Sequence, residues 1–364
     1  MRYRLTIIFF LASQILWAMP VKTIIKGEFA SGSEKYIRLY EYSNLISYKP
    51  VKVAQDSISK SGLFTFELMI EKGEVKTFFF AVERFKSFDI YIEAGKTYHL
   101  VFDSLDFAIQ DEWYSPLTSS FPNLNFKIPD HPEDLNNQIP ELILEFIRFS
   151  VEDFSEVMKM RNFKKLEEFK LRLDSMFQHI KHPFFQTILE YSFAETELTA
   201  RARNSGYFAS HYFNDRPFQY DNPAFMNFFN MFFDKYIYAV SRKIRFHTLD
   251  VCIVQQRDYK GLLDSLGKDS VLKNEVVRDM VLIKNLHQMY FSNILERESL
   301  FNLMSDISVK SKFKKHREIA ASLLTEMDIH VSGQTAPPLV ARKSNGETFS
   351  IDTIRGMFTY IFFF

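Results

Sequence analysis

The sequence predicts a multidomain α+β protein: an N-terminal antiparallel β-sandwich, a central α-helical region and the start of an α/β unit at the C-terminus. Three observations carry this. Apolar residues alternate with a period of two before about residue 111, they repeat every three to five residues after about 140, and an unbroken apolar run occupies 358–364. At 364 residues the chain also exceeds one average domain.

The first element stands apart from the fold. Met1-Arg2-Tyr3-Arg4 is a short basic stretch, Leu5 to Trp17 is almost wholly apolar, and Ala18 and Pro20 close the segment. That is the order of a secretory signal, expected to span 1–18 and to leave a mature chain starting near Met19. The run is shorter than the ~20 apolar residues that cross a bilayer, so no stable membrane span is expected after cleavage. Lipid anchoring needs a cysteine just after the apolar run, and the only cysteine is Cys252. The expected location is therefore the periplasm or cell envelope. A single thiol cannot form a disulfide within the chain even there.

From 21 to about 110 the strands announce themselves. Phe64, Phe66, Leu68 and Ile70 alternate with Thr65, Glu67 and Met69; Ile37 and Leu39 flank Arg38; Ile90 and Ile92 flank Tyr91. Ser61-Gly62 and Ala94-Gly95-Lys96 supply turns between them. Short strands at this spacing, with no helical run between them, read as a small antiparallel sandwich.

Between 111 and 140 the pattern dissolves into Pro116, Pro122, Pro129, Pro132 and Pro140 among Ser, Asn and Asp. Proline lacks an N–H and disfavours helix at the residue before it, so an irregular connection is expected. Helical spacing then runs from 141 to 330. It starts with Leu142, Phe146, Phe149 and Phe154, Pro140 being placed in the first turn. Further helices are expected at about 163–180, 184–203, 223–240, 270–291 and 311–327. Asn222-Pro223 is a strong helix start, and Phe225, Phe228, Phe229, Phe232, Phe233 and Tyr236 follow as an aromatic stripe. Such a stripe could line a cofactor or lipid groove, but helix core is the expected role.

After Gly333 the texture changes again. Ala336-Pro337-Pro338-Leu339 is extended, Asn345-Gly346 is the strongest two-residue hairpin signal in the chain, and Ser350-Ile351-Asp352-Thr353 reads as a capped helical turn. Phe358-Thr359-Tyr360-Ile361-Phe362-Phe363-Phe364 then has the continuous apolarity of a central parallel strand, covered on both faces.

Gly333, Ala336-Pro337, Asn345-Gly346-Glu347, Phe349-Ser350-Ile351, Gly356 and Tyr360-Ile361-Phe362-Phe363 resemble the opening of exported thioredoxin-like (redoxin family) thiol–disulfide oxidoreductases. Leu339 and Met357 depart from the usual phenylalanine and lysine. The sandwich and helical middle, including His211-Tyr212-Phe213-Asn214-Asp215-Arg216-Pro217, resemble the accessory region of such envelope proteins. The resemblance implies a Trp-Cys-x-x-Cys turn after the strand, at a helix N-terminus that lowers the pKa of the attacking thiol. On this reading the unit at 333–364 is incomplete, and no catalytic, cofactor-binding or metal-binding residue carries over. The implied partners are protein thiols or disulfides.

The remaining chemistry is sparse. Lysine plus arginine and aspartate plus glutamate each number 45, so no global field favours nucleic acid. Cys252, inside Val251-Cys252-Ile253-Val254, is expected to be a buried hydrophobe rather than a nucleophile. His179 and His182 have metal-compatible spacing but no local third ligand. Lys312, Lys314, Lys315, His316 and Arg317 are expected to form a solvated helix face, and Glu167-Glu168 to lie at the surface. The alternative to a redox protein is a non-enzymatic periplasmic binding or scaffold protein that uses the sandwich and the helices.

Overall fold

The computed structural model describes residues 19–107, 123–238, 245–292, 294–328, 340–342, 347–354 and 360. The expected signal segment 1–18, the expected strand 358–364 apart from Tyr360, and residues 108–122 lie outside them. The described residues form a mixed α+β structure, with a two-sheet sandwich followed by a helical region.

The sandwich contains β1 (Pro20–Glu28), β2 (Tyr36–Tyr42), β3 (Pro50–Ser57), β4 (Leu63–Glu71), β5 (Val75–Val82), β6 (Phe85–Lys86), β7 (Ile90–Glu93), β8 (Thr97–Phe102) and β9 (Phe126–Lys127). One sheet has the order β4-β1-β8-β9, the other β3-β2-β5-β6 with β7 also on β5. In β4 every second side chain is buried, from Phe64 to Ile70, as the alternation predicts. These side chains face Ile37, Leu39, Phe78, Phe80 and Val82 of the second sheet. The Phe80 ring meets Phe66 at 6.2 Å and Phe102 at 5.5 Å across the interlayer. Gly62 (φ +83°) and Gly95 (φ +82°) sit in the two anticipated turns, in the left-handed region where a side chain is strained.

The sandwich is not wholly antiparallel. β1 pairs antiparallel with β4 but parallel with β8, Ile24 facing Thr97. A parallel pair needs a long crossover, and here β2 to β7 supply it. Alternation reveals which face is buried but carries no signal for strand direction.

The described part of the proline-rich stretch, 123–140, is also less irregular than its prolines suggest. β9 pairs with β8, and a helix, α1, spans Leu135–Glu152. The Asp134 carboxylate caps it by accepting from Asn136 N at 2.9 Å, so Pro140 is an interior residue rather than a first-turn one. Proline removes the hydrogen bond that would reach the Asn136 carbonyl. The Asn136 side chain meanwhile binds the sandwich, accepting from Tyr91 N at 2.7 Å and donating to Tyr91 O at 2.8 Å.

The later helices are α2 (Phe154–Met160), α3 (Lys164–Phe177), α4 (Pro183–Thr199), α5 (Ser205–Phe208), α6 (Pro223–Phe232), α7 (Phe246–Asp250), α8 (Tyr259–Leu266), α9 (Glu275–Ser292), α10 (Arg297–Lys310) and α11 (Lys314–Asp328). π-helical turns extend α5 through Ala209–Phe213 and α7 through Val251–Gln255. Asn222 caps α6 through Phe225 N as expected, but the helix ends at Phe232, short of 240. α10 escaped sequence reading although Leu300, Leu303, Met304 and Ile307 have helical spacing and are fully buried. The aromatic stripe is core: Phe225, Phe228, Phe229 and Phe233 are at most 1 % exposed.

Toward the C-terminus, β10 (Val340–Arg342) pairs antiparallel with β11 (Thr348–Ser350), and the expected Asn345-Gly346 turn lies outside the described residues. A 3-10 turn, Ile351–Ile354, follows, and Thr353 Oγ1 donates to Ser350 O at 2.7 Å.

Candidate functional site

The sandwich meets the helices through the loop between β2 and β3, and the site lies beside that joint. Asn44 Oδ1 accepts from Ile46 N and Ser47 N, both at 2.9 Å, which folds the loop into an Asx turn. Leu45 then enters the helical core, and its carbonyl accepts from Asn230 Nδ2 at 2.7 Å. Ser47 Oγ donates to Glu326 Oε1 of α11 at 2.6 Å, and Lys49 Nζ to Thr325 Oγ1 at 3.0 Å.

A cleft of about 140 Å³ opens between this loop, β5, α11 and the segment before α6. Lys76, Thr77, Tyr220, Asp221 and Lys315 supply most of its polar lining. The Lys315 ammonium stands 3.7 Å from Asp221. Burial pushes Lys76 down, but Asp221, Glu74 and Glu41 outweigh it and hold the ammonium above its ordinary value. Thr77 Oγ1 is buried without a hydrogen-bond partner among the described residues.

Behind the cleft wall lies a buried polar chain. Tyr220 OH and His316 Nε2 are 2.7 Å apart, and His316 Nδ1 is 2.6 Å from Asp279 Oδ2. Ser311 Oγ donates to the same carboxylate at 2.6 Å and Tyr259 OH at 2.5 Å. His316 is fully buried and Asp279 is 1 % exposed. Burial raises the Asp279 pKa, but the bonds from His316, Ser311 and Tyr259 outweigh it and leave the group below its ordinary value. Tyr220 is pushed up to about 12, first by burial and then by Asp279 and Asp221, so its hydroxyl stays protonated. Every donor is matched when Tyr220 donates to Nε2 and Nδ1–H donates to Asp279. A phenol held this way offers a fixed lone pair to the cleft and is a poor nucleophile, so the arrangement suits binding rather than covalent chemistry.

This corrects the reading of 312–317 as a solvated face. Lys312 and Lys314 do sit outside, pairing with Glu275 and Glu318. His316 instead turns inward with Ile319 and Ala320, and Arg317 Nη1 donates to Ser311 O at 2.6 Å. The sequence gives no local hint of this because Asp279 is 37 residues away. Lys284 was missed too. It is 3 % exposed, 3.9 Å from Asp234 Oδ1, and pushed down to about 8 by burial. A lone charged residue inside the apolar stretch Met280–Leu286 is the available sequence signal for it.

The other candidates have structural roles. His182 caps α4, its Nδ1 accepting from Phe184 N at 3.2 Å, and its Nε2 lies 3.3 Å from Glu93 of β7. His179 is exposed, as are Glu167 and Glu168. Cys252 is 8 % exposed in its π-helical turn, and burial, then Asp258, raise its thiol pKa. Replacing Cys252 with serine is therefore expected to cost no more than ~1 kcal/mol and to leave binding intact. Thermal melts beside a binding assay check this, and lost binding in a fully folded variant would expose a reactive thiol.

Fold and site together define an α+β protein with a polar-lined cleft at the sandwich–helix joint. No protein-family model, curated protein or solved structure matches the chain.

Proposed function

We propose that the chain is an exported envelope protein whose sandwich and helices serve a thioredoxin-like thiol–disulfide exchange unit. The order at the C-terminus supports this reading: the antiparallel pair β10–β11, then the Ile351–Ile354 turn, then the apolar run in the sequence, as in the resemblance. Exchange would proceed by thiolate attack on a protein disulfide through a mixed disulfide, using a cysteine pair beyond the run. Cys252 does not fit that role, being buried and raised in pKa. The test is the coding sequence beyond the Phe364 codon, followed by insulin reduction with the natural gene product. A Cys-x-x-Cys whose serine variant abolishes turnover is expected. An immediate natural stop in an intact gene would overturn the proposal.

A second reading is a non-enzymatic binding protein acting through the joint cleft. It is supported by the Asp279–His316–Tyr220 chain ending at that cleft and by the unsatisfied Thr77 hydroxyl. On this reading a natural protein containing only Cys252 shows no insulin reduction.

A further inference from the structure

Helix α1 has two apolar faces. Leu142 and Phe149 fill the helical core at 0 and 1 % exposure, whereas Ile143, Leu144, Ile147 and Val151 are 47, 51, 51 and 78 % exposed. At about 100° per residue these four share one arc opposite the core side, along about 12 Å of helix. Beside them a groove of about 340 Å³ runs between α1, α2 and α4, lined by Ile143, Ile147, Phe146 and Phe154. Contiguous apolar surface of this kind marks an interaction site more than scattered single residues do.

Three carboxylates beside the stripe are left without a cation among the described residues. Glu195 of α4 lines the groove, and burial pushes its carboxyl up. Glu141 and Glu152 lie along the opposite flank of α1 by the same helical geometry. None of the three carboxylates has an ion-pair partner among the described residues. The cations on that flank, Arg148 and Arg172, are both held by Glu145, at 2.5 and 3.6 Å.

We propose that this face docks a basic amphipathic helix of a partner protein. Apolar residues at helical spacing would lie along Ile143, Ile147 and Val151, with lysine or arginine against Glu195 on one side and Glu141 and Glu152 on the other. Charge selects this occupant. A two-fold pairing of two copies sets the same carboxylates against each other. An anionic lipid surface repels them as well. The proposal is independent of the redox reading, since it uses no cysteine and no residue beyond Glu195.

The test uses the full chain and a synthetic amphipathic helical peptide with leucine on one face and lysine on its flanks, beside an analogue with glutamate for lysine. Fluorescence anisotropy is expected to show saturable binding of the lysine peptide that weakens with salt, and none of the glutamate peptide. I147D should weaken binding by about tenfold or more, and E195Q by a smaller factor with a shallower salt dependence. An unchanged thermal melt of I147D, whose site is half exposed, separates lost docking from lost folding. Equal binding of both peptides, no binding of either, or indifference to I147D overturns the proposal. Self-association, or flotation with phosphatidylglycerol vesicles, that I147D abolishes would assign the face to a second copy or to a membrane and overturn it too.

Discussion

Replacing Asp279 with alanine is expected to cost about 3–5 kcal/mol of folding stability, the range for breaking a buried charged network by removing one partner. The carboxylate accepts from His316, Ser311 and Tyr259 at 2.5–2.6 Å, and those groups belong to α11, the turn before it and α8. Alanine leaves three buried donors without an acceptor. Asp279→Asn keeps the shape but has one acceptor oxygen fewer, so it should cost less than alanine while still losing the charge. Denaturant unfolding of both variants measures the difference. A cost below 1 kcal/mol for alanine would mean that water replaces the carboxylate and that the chain to Tyr220 is not held by it.

The same group fixes a pH dependence. Its folded pKa is lower than its unfolded value, which is about 3.9, so its contribution is complete above that value. It is lost as pH falls through the lower folded pKa, because there the native state must take up a proton that the unfolded chain already holds. Acid unfolding below about pH 4 should therefore be shallower in Asp279→Asn than in the parent.

How much was legible from sequence depends on how local the cause is. β4 and the Asn222-Pro223 helix start are set by neighbours within a few residues, and their patterns name them. The parallel pairing of β1 with β8 depends on a register between strands about seventy residues apart, for which alternation holds no information. Pro140 misled because the helix-start rule weighs backbone donors but cannot see Asn136 engaged with Tyr91 across the joint. The site was the least legible part. Tyr220, Tyr259, Asp279 and His316 come from four separate elements, and in sequence His316 is one more polar residue in a basic run.

Phe213→Ala is expected to cost about 3–5 kcal/mol, the range for emptying a large aromatic from a core that cannot collapse. Phe213 is 1 % exposed at the end of the π-helical turn Ala209–Phe213. Its ring stacks on Phe228 at 5.3 Å and 10°, and meets Phe232 at 5.6 Å and Phe233 at 5.1 Å. Collapse is hindered because the surrounding backbone is pinned on both sides. Tyr191 OH donates to Tyr212 O at 2.9 Å, Asn274 Nδ2 donates to Phe213 O at 2.9 Å, and Arg216 Nη1 reaches Glu190 at 2.6 Å. This gives the His211 to Pro217 stretch a physical role, as a clamp that holds one ring against the aromatic face of α6. Phe213→Leu keeps an apolar side chain of intermediate volume and should cost less than half as much as alanine. If alanine and leucine destabilise equally, the clamp and not the ring carries the energy, and Asn274→Ala should then match them both.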